Sequence, residues 1–160
     1  VDWENRAYGL APLEAASGLT GLEFMQKLIA GGFPEPPIFR QLTFRLTAVG
    51  VGFAVFEGEP GPHLMNPMGG VHGGWALTLI DSATGVAAQT TLPPGKVHTT
   101  IETKANFSRP IRPDTGLVRC EGRVVSAGRT IISCEARVLD SVGKVLAHGT
   151  STVMVLDRTR

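Results

Sequence analysis

Residues 75 to 91 set the strongest constraint on the fold of this chain. Trp75, Ala76, Leu77, Leu79, Ile80, Ala83, Val86, Ala87 and Ala88 fall within one segment and cover nearly the whole circumference of a helix. A helix without a polar face has to be surrounded by other elements. The elements available to surround it are strands. Leu42, Phe44 and Leu46 alternate with Thr43, Arg45 and Thr47, and Val51 to Phe56 reads as the hairpin partner. After Pro93-Pro94-Gly95, the runs Val97 to Phe107, Leu117 to Val125, Thr130 to Leu139 and Val145 to Leu156 alternate in the same way. Pro110 to Gly116, Ser126-Ala127-Gly128 and Asp140 to Gly143 separate them, the last two short enough for hairpin turns. The pattern predicts an α+β fold in which one long antiparallel sheet surrounds a single buried helix.

A further helix is expected near the N-terminus. Thr20-Gly21-Leu22-Glu23 has the capping-box spacing, Leu22, Met25, Leu28 and Ile29 share one helical face, and Gly31-Gly32 followed by Pro34 supplies the stop. Pro34-Glu35-Pro36-Pro37 reads as a stiff connector into the first strand. At 160 residues and 42% hydrophobic content, the chain divides into an N-terminal extension over 1–19 and one domain over 20–160. No internal repeat or low-complexity tract interrupts it.

Charge and cysteine usage narrow the function classes. With 15 Lys and Arg against 14 Asp and Glu, the chain has no basic excess to neutralise a phosphate backbone or anionic lipid. Residues 60 to 80 carry no formal charge, but three prolines and five glycines break the stretch, which therefore does not read as a membrane span. The start of the chain lacks the basic-then-apolar layout of a secretory signal. Two cysteines are too few for a disulfide scaffold, so reduced thiols and a cytoplasmic location are expected. With Ala127-Gly128 as a two-residue turn, Cys120 would lie opposite Glu135 and Cys134 opposite Glu121, which places the sulfurs on opposite sheet faces.

From Pro60 to Gly95 the one formally charged side chain is Asp81, midway along the apolar helix. Burying an unpaired carboxylate costs several kcal/mol, so such a group is hydrogen-bonded, shifted in pKa or chemically used. Asp81 is either a satisfied carboxylate tying the helix to a strand or a catalytic base or nucleophile. Just upstream, Gly69-Gly70-Val71-His72-Gly73-Gly74 leads directly into the helix, with His72 as the one side chain able to cover the first amides. The glycines either permit close helix-to-strand packing or leave N–H groups open, where the helix dipole would favour a carbonyl oxygen gaining negative charge.

Distance then constrains the chemistry. Gly73 and Asp81 are eight residues apart, roughly 12 Å along a helix at 1.5 Å per residue, too far to serve one carbonyl within a single chain. Two antiparallel helices across a two-fold axis would bring Asp81 of one subunit to the Gly73 amide of the other, giving two sites per dimer.

Asn66-Pro67-Met68-Gly69-Gly70-Val71-His72-Gly73-Gly74 followed by Asp81 resembles the signature of hotdog-fold acyl-CoA thioesterases of the phenylacetate-pathway type. Thr99-Thr100-Ile101-Glu102, Asn106-Phe107-Ser108-Arg109-Pro110, Gly128-Arg129 and Asp140 to Gly143 extend the resemblance, which runs from about Gly21 to Leu156. It implies a hotdog fold, homodimers that commonly associate into homotetramers, and hydrolysis of an aromatic or medium-chain acyl-CoA, with coenzyme A as part of the substrate and no separate cofactor. It also implies roles. The Gly73 amide would bind the thioester oxygen, Asp81 would activate water or attack the carbonyl, Thr100 would orient the carboxylate or water, and Asn66 and His72 would position the thioester. Gly74, Trp75, Arg109, Gly128 and Arg129 would contact substrate, the arginines near the CoA phosphates. Trp75, Leu79 and the Leu64-Met65 loop would shape the acyl pocket.

No metal is expected, because His63, His72, His98 and His148 show no ligand spacing with the cysteines. Gly-x-Ser-x-Gly and phosphate-loop motifs are likewise missing. Two other activities compete: an acyl-thioester hydratase or dehydratase with His72 as acid/base, and an acyl-CoA-binding protein without turnover. The first needs a different spacing of His and acid, and the second normally needs an effector domain, for which about 20 residues outside the match are too few.

Overall fold

In the computed structural model the described residues are 2–3 and 5–158; Val1, Glu4, Thr159 and Arg160, which fall in the expected N-terminal extension and at the far end of the domain, lie outside them. Six strands form one antiparallel sheet in the order β1-β2-β4-β5-β6-β3. They are β1 (Phe44–Gly50), β2 (Phe53–Gly58), β3 (Lys96–Phe107), β4 (Val118–Ala127), β5 (Ile131–Leu139) and β6 (Val145–Asp157). The sheet wraps the helix α4 (Gly73–Gln89) in the hotdog arrangement. Three shorter helices precede the sheet or its first strand: α1 (Leu13–Ala16), α2 (Gly21–Ile29) and α3 (Pro37–Gln41).

Strand alternation decides which residues meet α4. Phe44, Leu46, Phe56, Val118, Cys120, Ala136, Val138 and Ala147 are buried on the helix side, against Ala76, Leu79, Ile80, Ala83 and Ala87. Gly122 of β4 marks the closest approach of helix and sheet. A Cβ there would lie 2.3 Å from the Ala83 carbonyl oxygen, so only a bare backbone fits. At the β1 end, Phe39, Phe44 and Phe56 pack with ring centroids 5.0 to 5.8 Å apart.

The helix α2 starts where its capping box predicts. The Thr20 hydroxyl accepts from the Glu23 amide, and the Glu23 carboxylate accepts from the Thr20 amide at 2.8 Å. Two short helices escape the periodicity argument. α3 begins at Pro37, inside the segment read as a connector, because proline suits the first helical position where its missing N–H has no partner to lose. The segment before α2 docks on the rest: Tyr8 bridges Glu35, and Arg6 forms an ion pair with the buried Glu35.

The cysteine register differs from expectation. The β4–β5 turn is centred on Arg129-Thr130, closed by the Gly128 amide donating to the Ile131 carbonyl at 2.8 Å, and a bulge at Val125 shifts the pairing again. Cys120 therefore pairs with Val138 and Cys134 with Val124, so both thiols face the helix, buried and free. They lie on the same sheet face, four positions apart along the ladder, which is beyond disulfide reach. Burial pushes both thiol pKa values up, Cys134 to about 11.

No helix among the described residues is long and apolar enough to cross a membrane. Among the described residues the edge strand β3 pairs with β6 on one side and with no strand on the other. It runs 12 residues, and Ile101 and Phe107 on it are 54% and 58% exposed. An open edge of that length is a template for pairing with another chain.

Candidate active site

Asp81 sits on the one face of α4 that the sheet does not close. Leu77, Thr78, Asp81, Ser82 and Gln89 are half-buried there, beside the free edge of β3. The carboxylate is held by two hydroxyls from β3. Thr100 Oγ1 donates to Asp81 Oδ1 at 2.8 Å, and Thr103 Oγ1 donates to the same oxygen at 3.2 Å. Oδ2 accepts no hydrogen bond, and no Lys or Arg pairs with Asp81, among the described residues.

Two threonines three positions apart would ordinarily face opposite sides of a strand. A bulge at Ile101 resets the alternation. Thr100 pairs with Val153 and Glu102 with Thr152, which leaves Ile101 unpaired and turns Thr103 to the helix side opposite Ser151. Thr100 was legible in the sequence; Thr103 was not, because bulges leave no periodic signal.

His98, two residues before Thr100 on β3, also lies on this face. Its Nδ1 is 2.9 Å from Gln89 Oε1, whose amide nitrogen donates to the Lys96 carbonyl at 3.1 Å. That orientation makes Oε1 the acceptor and puts the ring hydrogen on Nδ1. Nε2 is pressed against Gly85, where a Cβ would come within 2.6 Å of it. Burial lowers the His98 pKa, and the nearby Asp81 charge opposes that shift in part.

At the N-terminus of α4, His72 is the cap residue. Its Nδ1 accepts from the Gly74 amide at 2.9 Å, which places the hydrogen of the neutral ring on Nε2. The first turn holds no acidic residue, so the dipole there is uncompensated. With the Gly74 N–H engaged, the Gly73 N–H is left without an acceptor among the described residues. A Cβ on Gly73 would lie 3.2 Å from the Phe107 ring, so this glycine both permits a close approach to β3 and leaves its amide open. Asn66 fixes the preceding loop: its Oδ1 accepts from the Met68 amide at 2.9 Å, and its backbone bonds to Gly69 and Gly70.

A depression of about 300 Å³, bordered by Leu42, His63, Met65, His72, Trp75 and Thr78, opens beside this helix end. Trp75 is mainly a core residue, with Nε1 donating to the Leu42 carbonyl at 2.7 Å. Leu79, expected in the acyl pocket, is fully buried in the core and does not border the depression. The arginines are separated. Arg109 follows β3 and donates to the Val145 carbonyl at 2.6 Å, whereas Arg129 and Gly128 occupy the turn at the other end of the sheet. The ladder between Ala147 and Met154 spans roughly 23 Å at 3.3 Å per residue. No cluster of His, Cys, Asp or Glu suited to a metal occurs among the described residues.

The profile of the thioesterase superfamily matches residues 68–147, a stretch that includes Gly73, Asp81, Thr100, Thr103, Arg109 and Arg129. The chain belongs to the thioesterase superfamily, whose general chemistry is hydrolysis of acyl thioesters. Among solved structures, it is similar to a conserved protein from Pseudomonas aeruginosa, at 31% identity over 75% of this chain and 94% of that one, with a TM-score of 0.70. A putative thioesterase of Ralstonia eutropha, described as phenylacetic acid degradation-related, is 26% identical over 82% of this chain and 98% of its own, TM-score 0.74. A thioesterase family protein from Silicibacter pomeroyi is 25% identical over 84% and 99%, TM-score 0.73. No curated protein sequence matches the chain.

Proposed function

We propose that the protein hydrolyses an acyl-CoA thioester to the free acid and CoA, with Asp81 as its base or nucleophile. The observation that carries this reading is the asymmetry of the carboxylate: two threonine hydroxyls hold Oδ1 and leave Oδ2 open on the half-buried face. Oδ2 either takes a proton from the attacking water or attacks the carbonyl carbon itself, giving a mixed anhydride that water opens. In both routes the C–S bond breaks and CoA leaves as the thiolate. The negative charge gathering on the carbonyl oxygen is met by the Gly73 N–H at an uncompensated helix end.

That amide belongs to a second subunit. Asp81 and Gly73 of one chain are about 12 Å apart along α4, and the open face of Asp81 adjoins the free edge of β3. A two-fold pair of chains completes two equivalent sites. His72 and Asn66 shape the loop that presents the Gly73 amide, and His72 Nε2–H faces the thioester or departing sulfur. Gly74, Trp75 and the depression beside them receive part of the substrate. Arg109, Arg129 and Gly128 are the candidates for the CoA phosphates, and one phosphate cluster meets only one of these arginines from a given chain. The likeness to the Ralstonia protein favours an aromatic acyl group, with medium-chain groups next.

The test is a panel of aromatic and aliphatic acyl-CoA esters followed by thiol release, repeated with Asp81→Asn. Wild-type turnover of at least one ester, and a loss of at least about a hundredfold in kcat with binding retained in the variant, is the expected result. Turnover by Asp81→Asn at the wild-type rate, or none by the wild type on any ester, removes the proposal.

A further inference from the structure

We propose that Thr103 is a positioning residue for Asp81 and that it acts as the last member of a buried hydroxyl chain running Thr84–Ser151–Thr103. This rests on the thioesterase reading above and extends it to residues that no motif marks.

The chain is continuous. Thr84 Oγ1 on α4 lies 2.8 Å from Ser151 Oγ on β6, and Ser151 Oγ lies 2.9 Å from Thr103 Oγ1 on β3, which reaches Asp81 Oδ1 at 3.2 Å. Thr84 and Ser151 are 0% and 1% exposed, so the inner links are shielded from water. A carboxylate can only accept. Thr103 therefore spends its single hydrogen on Asp81, and its lone pair is left to accept from Ser151. Ser151 thus donates to Thr103 and accepts from Thr84, whose single hydrogen is shared between Ser151 Oγ and the Ile80 carbonyl, both at 2.8 Å. The Ser151 and Thr103 hydrogens point toward Asp81, and each donor polarises the next.

This direction separates a positioning role from simple fastening. A hydroxyl that merely ties β3 to α4 could bond anywhere along the helix, as Thr84 does in sharing its hydrogen with the Ile80 carbonyl. Instead, the Ile101 bulge brings Thr103 to the same carboxylate oxygen that Thr100 holds, at the one charged group on the helix. With two donors on Oδ1, rotation of the carboxylate is blocked and Oδ2 stays the oxygen that faces substrate. With Thr100 alone, the group could swing about one bond.

The experiment compares kcat and KM for the best ester of the panel in Thr103→Val, Thr103→Ser and Ser151→Ala, with Asp81→Asn beside them. Thr103→Val is expected to lower kcat roughly ten- to a hundredfold, the factor for one hydrogen bond to a charged group, with KM unchanged. Thr103→Ser restores most of the rate, and Ser151→Ala lowers kcat by a smaller factor with Thr103 intact. Wild-type kcat in Thr103→Val, or a loss that Thr103→Ser does not restore, overturns the positioning role while leaving Asp81 in place. If Thr103→Val does not fold, Ser151→Ala decides: wild-type kcat there overturns the chain. Failure of the thioesterase reading is distinguishable, since it shows as an inactive wild type or an active Asp81→Asn, and it removes this inference with it.

Discussion

Asp81 and Thr100 meet across the open face of the long helix, the threonine hydroxyl donating to Oδ1 at 2.8 Å. The bond does two things. It satisfies one side of the half-buried carboxylate, and by occupying Oδ1 it leaves Oδ2 open for the proposed chemistry. The satisfied-carboxylate and catalytic readings of Asp81 are thus compatible, each describing one oxygen.

The oxyanion role proposed for Gly73 is separable from its packing role. Gly73 is the first residue of α4, and His72 before it has φ −60° and ψ 133°, the extended conformation that a following proline requires. Proline is tolerated at a first helical position, and it lacks the N–H. Gly73→Pro and Gly73→Ala both place a Cβ against the exposed Phe107 ring, but only proline deletes the donor. We expect Gly73→Pro to fall about a hundredfold below Gly73→Ala in kcat, within the range for loss of one oxyanion donor. Equal rates in the two variants would place the oxyanion elsewhere.

His98 predicts an acid-side loss of stability. Its folded pKa is lowered by burial from the ordinary value of 6.5. Between the folded and unfolded values the unfolded chain binds a proton that the native chain does not, so stability rises with pH in that window. Its contribution is complete above about pH 6.5 and declines as the pH falls below it. Melting temperatures of wild type and His98→Gln between pH 5 and 7.5 should therefore converge on acidification. Parallel curves would show that His98 titrates alike in both states.

The cysteines should be silent in the native protein. Burial raises both thiol pKa values, Cys134 to about 11, and both side chains face the helix. At pH 8 a thiol-reactive chromogen is expected to find neither thiol in native protein and two after denaturation. Rapid labelling without denaturant contradicts the register of β4 and β5.

Gly122→Ala tests the tightest helix–sheet contact. Its Cβ would fall 2.3 Å from the Ala83 carbonyl oxygen, backbone that cannot rotate away. Overpacking typically costs about 1–3 kcal/mol, and a backbone clash belongs at the upper end. Denaturant titration should show the loss, and Asp81 should be displaced with its helix, so activity falls as well.

Much of the fold was legible because it follows from period. The six strands and α4 have patterns of two and of an unbroken apolar surface, and the structure places each within a few residues of expectation. The short helices α1 and α3 were not, since four or five residues hold too few turns for a periodic signal. For the site, a charge isolated in a neutral window pointed to Asp81 and a glycine run to Gly73, whereas Thr103 and His98 carried no mark. Leu79, expected in the acyl pocket, is buried in the core; an apolar residue in a helix buried nearly all round reads the same whether it meets core or ligand.

The amino-acid order by itself determined that a buried helix would lie within an antiparallel sheet and that Asp81 would need a polar partner, because apolar periodicity and the desolvation of a charge act locally. Which partner it finds, and which oxygen is left free, was decided only in three dimensions. A single unpaired residue at Ile101 reverses the facing of everything after it on β3, and the bulge at Val125 does the same for the cysteines. Register is a property of two strands together, and neither strand's sequence contains it.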